Sequence, residues 1–336
     1  MLSRAADNLY WMARYIERAE NLARLADANS QFLLDGGLSP DPRDSTGWMP
    51  ILEVTCLDED FARCHAENPE LGVLEFLTLS PENSESIRAC IAMARENARM
   101  VRDQISEEIW FEVNRLHLFL QSPGAAIEWE FSPEEFYNRI LNFSLLFQGL
   151  AGSTIARDEG YWFILLGKFL ERADKTTRIL DVPAHHEEAT AVSPWPTVLG
   201  ACSARSAYVT TRGASVKERD AISLLLFDHQ FPRSMRFCLR EVDGALHQIS
   251  GTPVGRYGNE AERLAGALLA NVDFNGPSDL ERMGLHGYID QVQDRLNEIG
   301  QQIFETYVLM PSEIKQAPAW TAQLAEGFQQ VQQQQQ

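Results

Sequence analysis

The sequence contains little cysteine, and its five cysteines stand far apart along the chain. None of them belongs to a C-x-x-C pair, and an odd number leaves at least one thiol outside any disulfide framework. This pattern excludes a small secreted domain held together by disulfides, and it offers no ligand set with the spacing of a structural zinc site. We therefore expect a fold that depends on neither disulfides nor metal.

Long apolar runs and an excess of positive charge are also missing. The opening residues, MLSRAADNLYWMARY, lack the apolar core of a signal peptide, and no later run has the roughly 20 apolar residues of a membrane span. Against 48 Asp and Glu stand only 29 Lys and Arg, a formal net charge of −19. Such a balance argues against nucleic acid and against an anionic membrane surface as partners. We expect a cytoplasmic protein.

Patterns typical of β-strands are absent, because no alternating segments joined by hairpin turns occur. Apolar residues instead recur at spacings of three and four, as in Leu9, Met12, Ile16, Ala19 and Ala23. This periodicity is that of amphipathic helices and returns along most of the chain. With 336 residues, 45% of them hydrophobic, the chain is long enough for a large core and for about two domains. The sequence predicts an all-α protein.

One helical pattern occurs twice, as YIERAENLARLAD (15–27) and FLERADKTTRILD (169–181). Two further pairs follow in the same order: Trp48-Met-Pro-Ile-Leu with Trp195-Pro-Thr-Val-Leu, and Ser86-Ile-Arg-x-Cys with Ser234-Met-Arg-x-Cys. Three matches in register, at offsets of 154, 147 and 148, indicate an internal duplication. We predict two helical-bundle halves, 1–155 and 156–310, packed about a pseudo-twofold axis. The remaining tail, 311–336, is rich in Gln and is expected to be disordered at its end.

Charged residues of each copy fall on one stripe of the helix, at about 100° per residue. The stripes comprise Tyr10, Arg14, Glu17, Asn21 and Arg24 in the first copy, and Lys168, Glu171, Lys175 and Arg178 in the second. The adjacent Arg18 and Arg172 point about 100° away, towards the apolar face. Three interpretations fit: a solvated ladder of ion pairs, a buried ion pair that fixes helix register, or a polar cleft for an anionic ligand.

In the cleft interpretation, Glu17 and Glu171 are the candidate catalytic residues, since each could position or deprotonate a ligand. The candidate anion- or substrate-binding residues are Arg14, Arg18, Arg24, Arg88, Lys168, Arg172, Arg178 and Arg236. Arg88 and Arg236 each lie near the start of a predicted helix, where a cation opposes the helix dipole. We therefore expect each to hold an anion or an acidic partner, with Glu17 and Glu171 as the candidates.

Other motifs are weaker. The run His185-His186-Glu187-Glu188 has metal-binding side chains, but adjacent residues in a loop rarely converge on one ion. The stretch GTPVGRYG (251–258) lacks the lysine of a phosphate-binding loop and follows no strand. We predict no cofactor, no metal site and no ATPase activity of the chain alone.

Three stretches resemble a known family: MLSRAADNLYWMARYIERAENLARL, ARENARMVRDQISEEIW and FDHQFPRSMRFCL. They are similar to the alpha-E family, a group of bacterial α-helical proteins named for a Glu-Arg motif. The resemblance covers about residues 1–310 and leaves out the Gln-rich tail. It maps the motif onto Glu17 and Arg18, with Glu171 and Arg172 as a second copy.

The resemblance implies association with a circularly permuted ATP-grasp ligase, often with a transglutaminase-like protein nearby, in systems that form amide bonds in small peptides or peptide-like metabolites. The expected function is therefore an accessory or substrate-handling component that binds an anionic group of a peptide or amino-acid substrate, active only together with the ligase. Two alternatives stay open: a stand-alone enzyme with Glu17 or Glu171 as general base, and a non-catalytic helical scaffold.

Overall fold

The computed structural model describes residues 1–36, 47–185 and 193–309. In these ranges every regular element is helical, which confirms the all-α prediction. The helices are, in chain order, α1 (Ser3–Asp35), α2 (Met49–Thr55), α3 (Asp58–Glu67), α4 (Val73–Thr78), α5 (Ile87–Met100), α6 (Glu107–Leu120), α7 (Pro123–Phe131), α8 (Pro133–Thr154), α9 (Glu159–His185), α10 (Trp195–Ala201), α11 (Arg205–Arg212), α12 (Glu218–Phe227), α13 (Met235–Ser250), α14 (Glu260–Phe274) and α15 (Gly276–Phe304), followed by a π-helical segment (Glu305–Leu309).

The long helices α1 and α9, which carry the two Glu-Arg-Ala sequences, form the centre of the molecule. They make the most extensive contact between any two helices of the described chain. Helices α5 and α8 pack on the other sides of α1, and α13 and α15 pack on α9. Both central helices are therefore surrounded by other helices, and most charged side chains on their stripes have little contact with solvent.

A glycine sets the distance between the two central helices. A Cβ atom at Gly167 of α9 would lie 2.2 Å from the carbonyl oxygen of Tyr10 on α1. Because this is backbone rather than a movable side chain, only glycine fits at the crossing point. The close approach brings the polar side chains that flank it into direct contact across the helix pair.

The loops before α5 and α13 use the same capping device. The hydroxyls of Ser86 and Ser234 each accept a hydrogen bond from the backbone N–H three residues further on, at 3.2 and 3.0 Å. An N-terminal serine cap of this kind satisfies a donor that the helix itself leaves unpaired. The residues immediately before these caps, Glu85 and Arg233, lie against α1 and α9.

One continuous cluster of buried apolar side chains runs through the described chain. Trp48 and Trp195, from the second repeated phrase, both belong to it. The duplication and the boundary between residues 155 and 156 stay predictions, as does the pseudo-twofold axis. The Gln-rich tail lies outside the described residues. No helix within the described ranges combines the length and the apolar character that crossing a membrane requires.

Candidate functional site

The two Glu-Arg pairs bind each other across the central helices. Arg172 of α9 donates to both carboxylate oxygens of Glu17 on α1, at 2.7 and 2.8 Å. Reciprocally, Arg18 of α1 donates to both oxygens of Glu171 on α9, at 2.7 and 3.3 Å. Two-pronged contacts of this kind fix both distance and orientation. The glutamate and arginine of each Glu-Arg motif therefore pair with the other helix, and they hold α1 and α9 together.

Around the first glutamate lies a fully enclosed group of charges, which we call the Glu17 cluster: Glu17, Glu20, Arg172 and Arg233. Arg233 reaches Glu17 at 3.3 Å and also pairs with Glu20. The Ser144 hydroxyl donates a further hydrogen bond to Glu20. All four charged side chains are buried, so the cluster is a paired and hydrogen-bonded set with almost no solvent contact.

The electrostatics of Glu17 follow from this enclosure. Burial alone would raise its pKa, but the positive charges of Arg172 and Arg233 outweigh burial and lower the pKa to about 2. The carboxylate is thus held ionised across the physiological range, which makes it a weak base. This gives no support to a general-base role for Glu17.

The second glutamate belongs to a group that we call the Glu171 cluster: Glu171, Arg14, Arg18 and Lys175. Arg14 donates to Glu171 at 2.7 Å, and the Lys175 ammonium lies 3.6 Å from it. Arg18 also binds Glu85 at 3.0 Å. Burial would raise the pKa of Glu171, but Arg14 and Arg18, with Lys175, hold it well below its usual range. Glu171 is therefore an equally weak base.

Unlike the Glu17 cluster, the Glu171 cluster borders a cleft of about 550 Å³. Arg14, Arg18 and Lys175 line it, together with Asp174 and Arg178. Arg178 binds Asp174 at 3.1 Å, and the same carboxylate lies 3.0 Å from Lys175. The cations of this wall keep between 13% and 19% of their side chains exposed. They are accessible to a small ligand without disruption of the core.

The cleft continues beyond its charged wall. Tyr10 and Trp11 of α1 line it next to Arg14, whose guanidinium lies 4.9 Å from the centre of the Trp11 ring. Cys56, which ends α2 in a left-handed conformation (φ 57°), contributes its thiol, 3.2 Å from Arg178. The cleft thus combines cations, aromatic rings and one exposed cysteine, a composition suited to a small polar ligand with some apolar surface.

Two candidate residues on the stripes have other surroundings. Arg24 binds Glu20 at 2.7 Å and also donates to the Ser203 hydroxyl. Lys168 lies near the Glu17 cluster, with its ammonium 4.6 Å from the Phe169 ring. Burial and the nearby charge of Arg172 lower the pKa of Lys168 to about 8. Neither residue lines the cleft.

The expectation that Arg88 and Arg236 pair with Glu17 and Glu171 is wrong. Arg88 donates to the side-chain oxygen of Gln121 at 2.7 Å, and Arg236 pairs with Asp273. Each arginine lies two residues after its serine cap and points away from the central helices. The residues just before the caps, Glu85 and Arg233, contact the Glu-Arg pairs instead of the two arginines.

On the first stripe, neither Arg14 nor Arg24 pairs with Glu17: Arg14 binds Glu171 and Arg24 binds Glu20. The reason is geometric, because the closest carboxylates lie across the helix pair or on the next turn. Two sequence patterns contain the partners that were missed. Glu20 and Asp174 are the acidic residues that follow Glu-Arg-Ala. Glu85 and Arg233 directly precede the two copies of Ser-x-Arg-x-Cys.

No group of three His, Cys, Asp or Glu side chains in the described ranges could hold a metal ion. The run from His186 to Glu188, weighed above as a metal site, lies outside the described residues. All five cysteines are free thiols, three of them buried.

These observations define an all-α protein in which two Glu-Arg pairs are buried between two central helices. Comparison with family models agrees: the Alpha-E model, described as a predicted alpha-helical domain with a conserved ER motif, matches residues 1–308. The chain belongs to this family.

Curated relatives are similar along nearly the whole chain. The uncharacterized proteins Mb2597 of Mycobacterium bovis and Rv2567 of Mycobacterium tuberculosis are each 23% identical over 344 aligned residues. These alignments cover 94% of this chain but only 38% of each relative. The chain therefore spans well under half the length of the curated relatives it matches. No solved structure gives a significant match.

Proposed function

We propose that this chain is a substrate-handling component of an amide-forming ligase system and that it binds the anionic group of a small peptide or amino acid in the cleft beside the Glu171 cluster. The partner would be a circularly permuted ATP-grasp ligase, with a transglutaminase-like protein as a further member of the system. The ligase would supply ATP chemistry, and this chain would hold or present the substrate.

The observation that carries this proposal is the charge balance of the cleft wall. Four cations, Arg14, Arg18, Lys175 and Arg178, share the two buried carboxylates of Glu171 and Asp174. Glu85, whose side chain is 40% exposed, is the third carboxylate of the group. Within this group the cations outnumber the carboxylates by one, at one end of the cavity; the other carboxylates that line it, Asp7 and Asp60, lie outside the group. A carboxylate or phosphate of a ligand would complete the balance.

The cavity has the size and lining of a small-molecule site. Its volume of about 550 Å³ falls within the range of ligand pockets, roughly 300–1,000 Å³. Aromatic side chains beside the cations supply apolar contact area, which a free inorganic anion would not need. This lining favours an organic anion, such as a peptide of a few residues, over phosphate or sulfate alone.

The two glutamates have a structural part in this proposal. Both are ionised and saturated with arginine contacts, so they would hold the arginines in position rather than take a proton from a substrate. The stand-alone enzyme with a glutamate general base is therefore the weaker alternative. The scaffold alternative is favoured for the Glu17 cluster, whose charged side chains are all buried, and disfavoured for the Glu171 cluster, which borders the cleft.

The longer relatives also support a function in combination with another polypeptide. In those proteins a region similar to this chain is joined to further sequence that exceeds it in length. Such a fusion is the arrangement expected when two components act on one substrate. The identity of the additional sequence and of its activity is part of the proposal.

The proposal is tested by reconstitution of the full chain with a circularly permuted ATP-grasp ligase from the same organism. ADP release and amide products would be measured by mass spectrometry with the wild-type chain, with Lys175→Met and without the chain. Lys217→Met, the same substitution at an exposed site outside the cleft lining, is the control. We expect product to fall about tenfold or more in Lys175→Met, as for one charge-assisted contact, and to be unchanged in the control. Equal product in all four reactions would overturn the proposal.

A further inference from the structure

At the opposite end of the cleft from its cations lies Asp7, a carboxylate that has no ionic partner among the described residues and one oxygen atom without a hydrogen bond. The Oδ1 atom of Asp7 is buried, and within the described chain it has no hydrogen-bond partner. Asp7 also forms no ion pair with any described residue, although it lines the same cavity as Arg14 and Lys175. A buried carboxylate oxygen that accepts no hydrogen bond is costly to a folded protein and calls for an explanation.

The position of Asp7 on α1 gives that explanation. Asp7, Trp11, Arg14 and Arg18 follow one another at spacings of four, three and four, so they lie on one face of the helix. Asp7 and Arg14 are separated by about 10 Å along the helix axis, at 1.5 Å per residue. Trp11 lies between them. The cleft is thus lined along α1 by an unpaired carboxylate, an aromatic ring and then the cation-rich wall.

We infer that the ligand of this cleft is a zwitterion, a short peptide of about three residues; this inference rests on the proposed function. The free amino terminus of the peptide binds Asp7, and its carboxylate binds the Arg14–Lys175 end of the cleft. An extended peptide spans at most about 3.3–3.6 Å per residue, so three residues match the separation of the two ends. The Asp7 carboxylate would receive hydrogen bonds from the ammonium group, and Trp11 would pack against the middle residue.

Two further observations agree with an ammonium ligand. Burial raises the pKa of Asp7 above its usual value, while a hydrogen bond from the Trp11 side chain lowers it. An ammonium group beside the carboxylate would offset this effect of burial by favouring the charged form. The other carboxylates that line the cleft each have a cationic partner: Asp60 pairs with Arg63, Asp174 with Arg178 and Glu85 with Arg18. Asp7 is thus the carboxylate of the cleft lining that has no ionic partner among the described residues.

The test compares three peptides by isothermal titration calorimetry on the full chain: trialanine, N-acetyl-trialanine and trialanine amide. For the wild type, we expect N-acetylation to weaken binding about tenfold or more, the loss of one charge-assisted contact. Amidation of the carboxyl end should have a similar effect. These comparisons need no variant, so they do not depend on the folding of an altered chain.

Asp7→Asn then locates the contact. It should weaken binding of trialanine to the level of the acetylated peptide and leave binding of the acetylated peptide unchanged. Asp60→Asn, the same substitution at a cleft residue that already has a partner, should retain the full difference between the two peptides. Circular dichroism of both variants would verify that the helices are intact.

The failure of this inference is distinguishable from that of the proposed function. If acetylated and free peptides bind equally and both are weakened by Lys175→Met, the anion site stands and the Asp7 inference is overturned. A difference between the peptides that persists in Asp7→Asn overturns it as well. If no peptide binds the wild type in the millimolar range, both the inference and the peptide-binding part of the proposed function fail.

Discussion

The Glu17 and Glu171 clusters are built on the same Glu-Arg motif, yet in the described chain the first is enclosed and the second borders a cleft of about 550 Å³. In the Glu17 cluster, Arg233 and Glu20 complete a closed set of charges from which solvent is excluded. In the Glu171 cluster, Glu85 is half-exposed, and the neighbouring Lys175 and Arg178 line the cleft. The same motif thus holds two helices together on one side and supports a binding wall on the other.

The difference comes from the residues around the motif rather than from the motif itself. At the position before the serine cap, the loop before α5 carries the carboxylate of Glu85, whereas the loop before α13 carries the guanidinium of Arg233. On the stripe of the central helices, Asn21 corresponds to Lys175, which adds a cation on the cleft side. A Glu-Arg sequence therefore indicates a helix-pairing device, and the neighbouring residues decide whether it also borders a site.

The largest effect that the comparison predicts is for Glu17→Gln. The change preserves shape but leaves Arg172 and Arg233 without their carboxylate in an enclosed space. We expect a loss of about 3–5 kcal/mol in the free energy of unfolding, the usual cost of removing one partner of a buried pair. Glu171→Gln should cost less, about 2 kcal/mol, because the cleft lets water reach the arginines. Urea denaturation monitored by circular dichroism gives both values.

The double change Glu17→Gln with Glu171→Gln should be non-additive by more than about 0.5 kcal/mol, because both clusters hold the same two helices together. The acid response gives a second check. With a folded pKa of about 2 for Glu17, its stabilising contribution is complete above the unfolded value near 4.5 and is lost as the pH falls towards 2. Glu17→Gln should lack this part of the acid sensitivity. Equal, additive losses under about 0.5 kcal/mol would show both clusters to be dispensable.

A smaller loss is expected when the two central helices are pushed apart. Gly167→Ala places a methyl group against the backbone of Tyr10, so both clusters should be strained at once, with a loss of about 1–3 kcal/mol. Gly149→Ala in α8 is the matched control, since nothing lies within 4 Å of its Cβ position. There the substitution should stabilise by about 0.5–1 kcal/mol, the helix preference for alanine. The two unfolding curves should therefore shift in opposite directions, and a shift in the same direction would contradict the tight crossing.

Lys168 gives a pH-dependent effect on the enclosed side. Its folded pKa of about 8 lies below the unfolded value of 10.5, so the unfolded chain binds more protons between these values. Stability therefore rises with pH across that window. Lys168→Met should remove the rise and should be more stable than the wild type at pH 7 by about 1 kcal/mol. Lys217→Met should preserve the rise. Parallel pH profiles for the wild type and Lys168→Met would be inconsistent with the low pKa.

The smallest effect is predicted for an arginine outside both clusters. Arg236 pairs with Asp273, and both side chains are more than a quarter exposed. Arg236→Met should therefore cost about 0–1 kcal/mol and leave peptide binding in the cleft unchanged. A loss of several kcal/mol, comparable with Glu17→Gln, would mean that this pair belongs to the central network after all.

Sequence reasoning predicted the helical class correctly, because the spacing of apolar residues is set by the helix itself. It also singled out Glu17, Arg18, Glu171 and Arg172. The partners were harder to predict, since periodicity along one helix does not specify where another helix crosses it. The pairing of Arg14 with Glu171 depends on the close approach at Gly167, a contact between segments more than 150 residues apart. The unpaired Asp7 had no distinctive pattern around it, because its significance lies in the cavity alone.

The opposite charges at the two capped loops also bear on which segments can associate. Suppose that α1 paired with α1 of a second molecule instead of with α9. The Glu17 and Glu20 carboxylates would then be buried without Arg233, while Glu85 would add a further negative charge at each end. Like charges brought together in this way disfavour the wrong pair. Arg233, which pairs with both carboxylates, thus favours the packing of α1 on α9 of the same chain over its packing on a second α1.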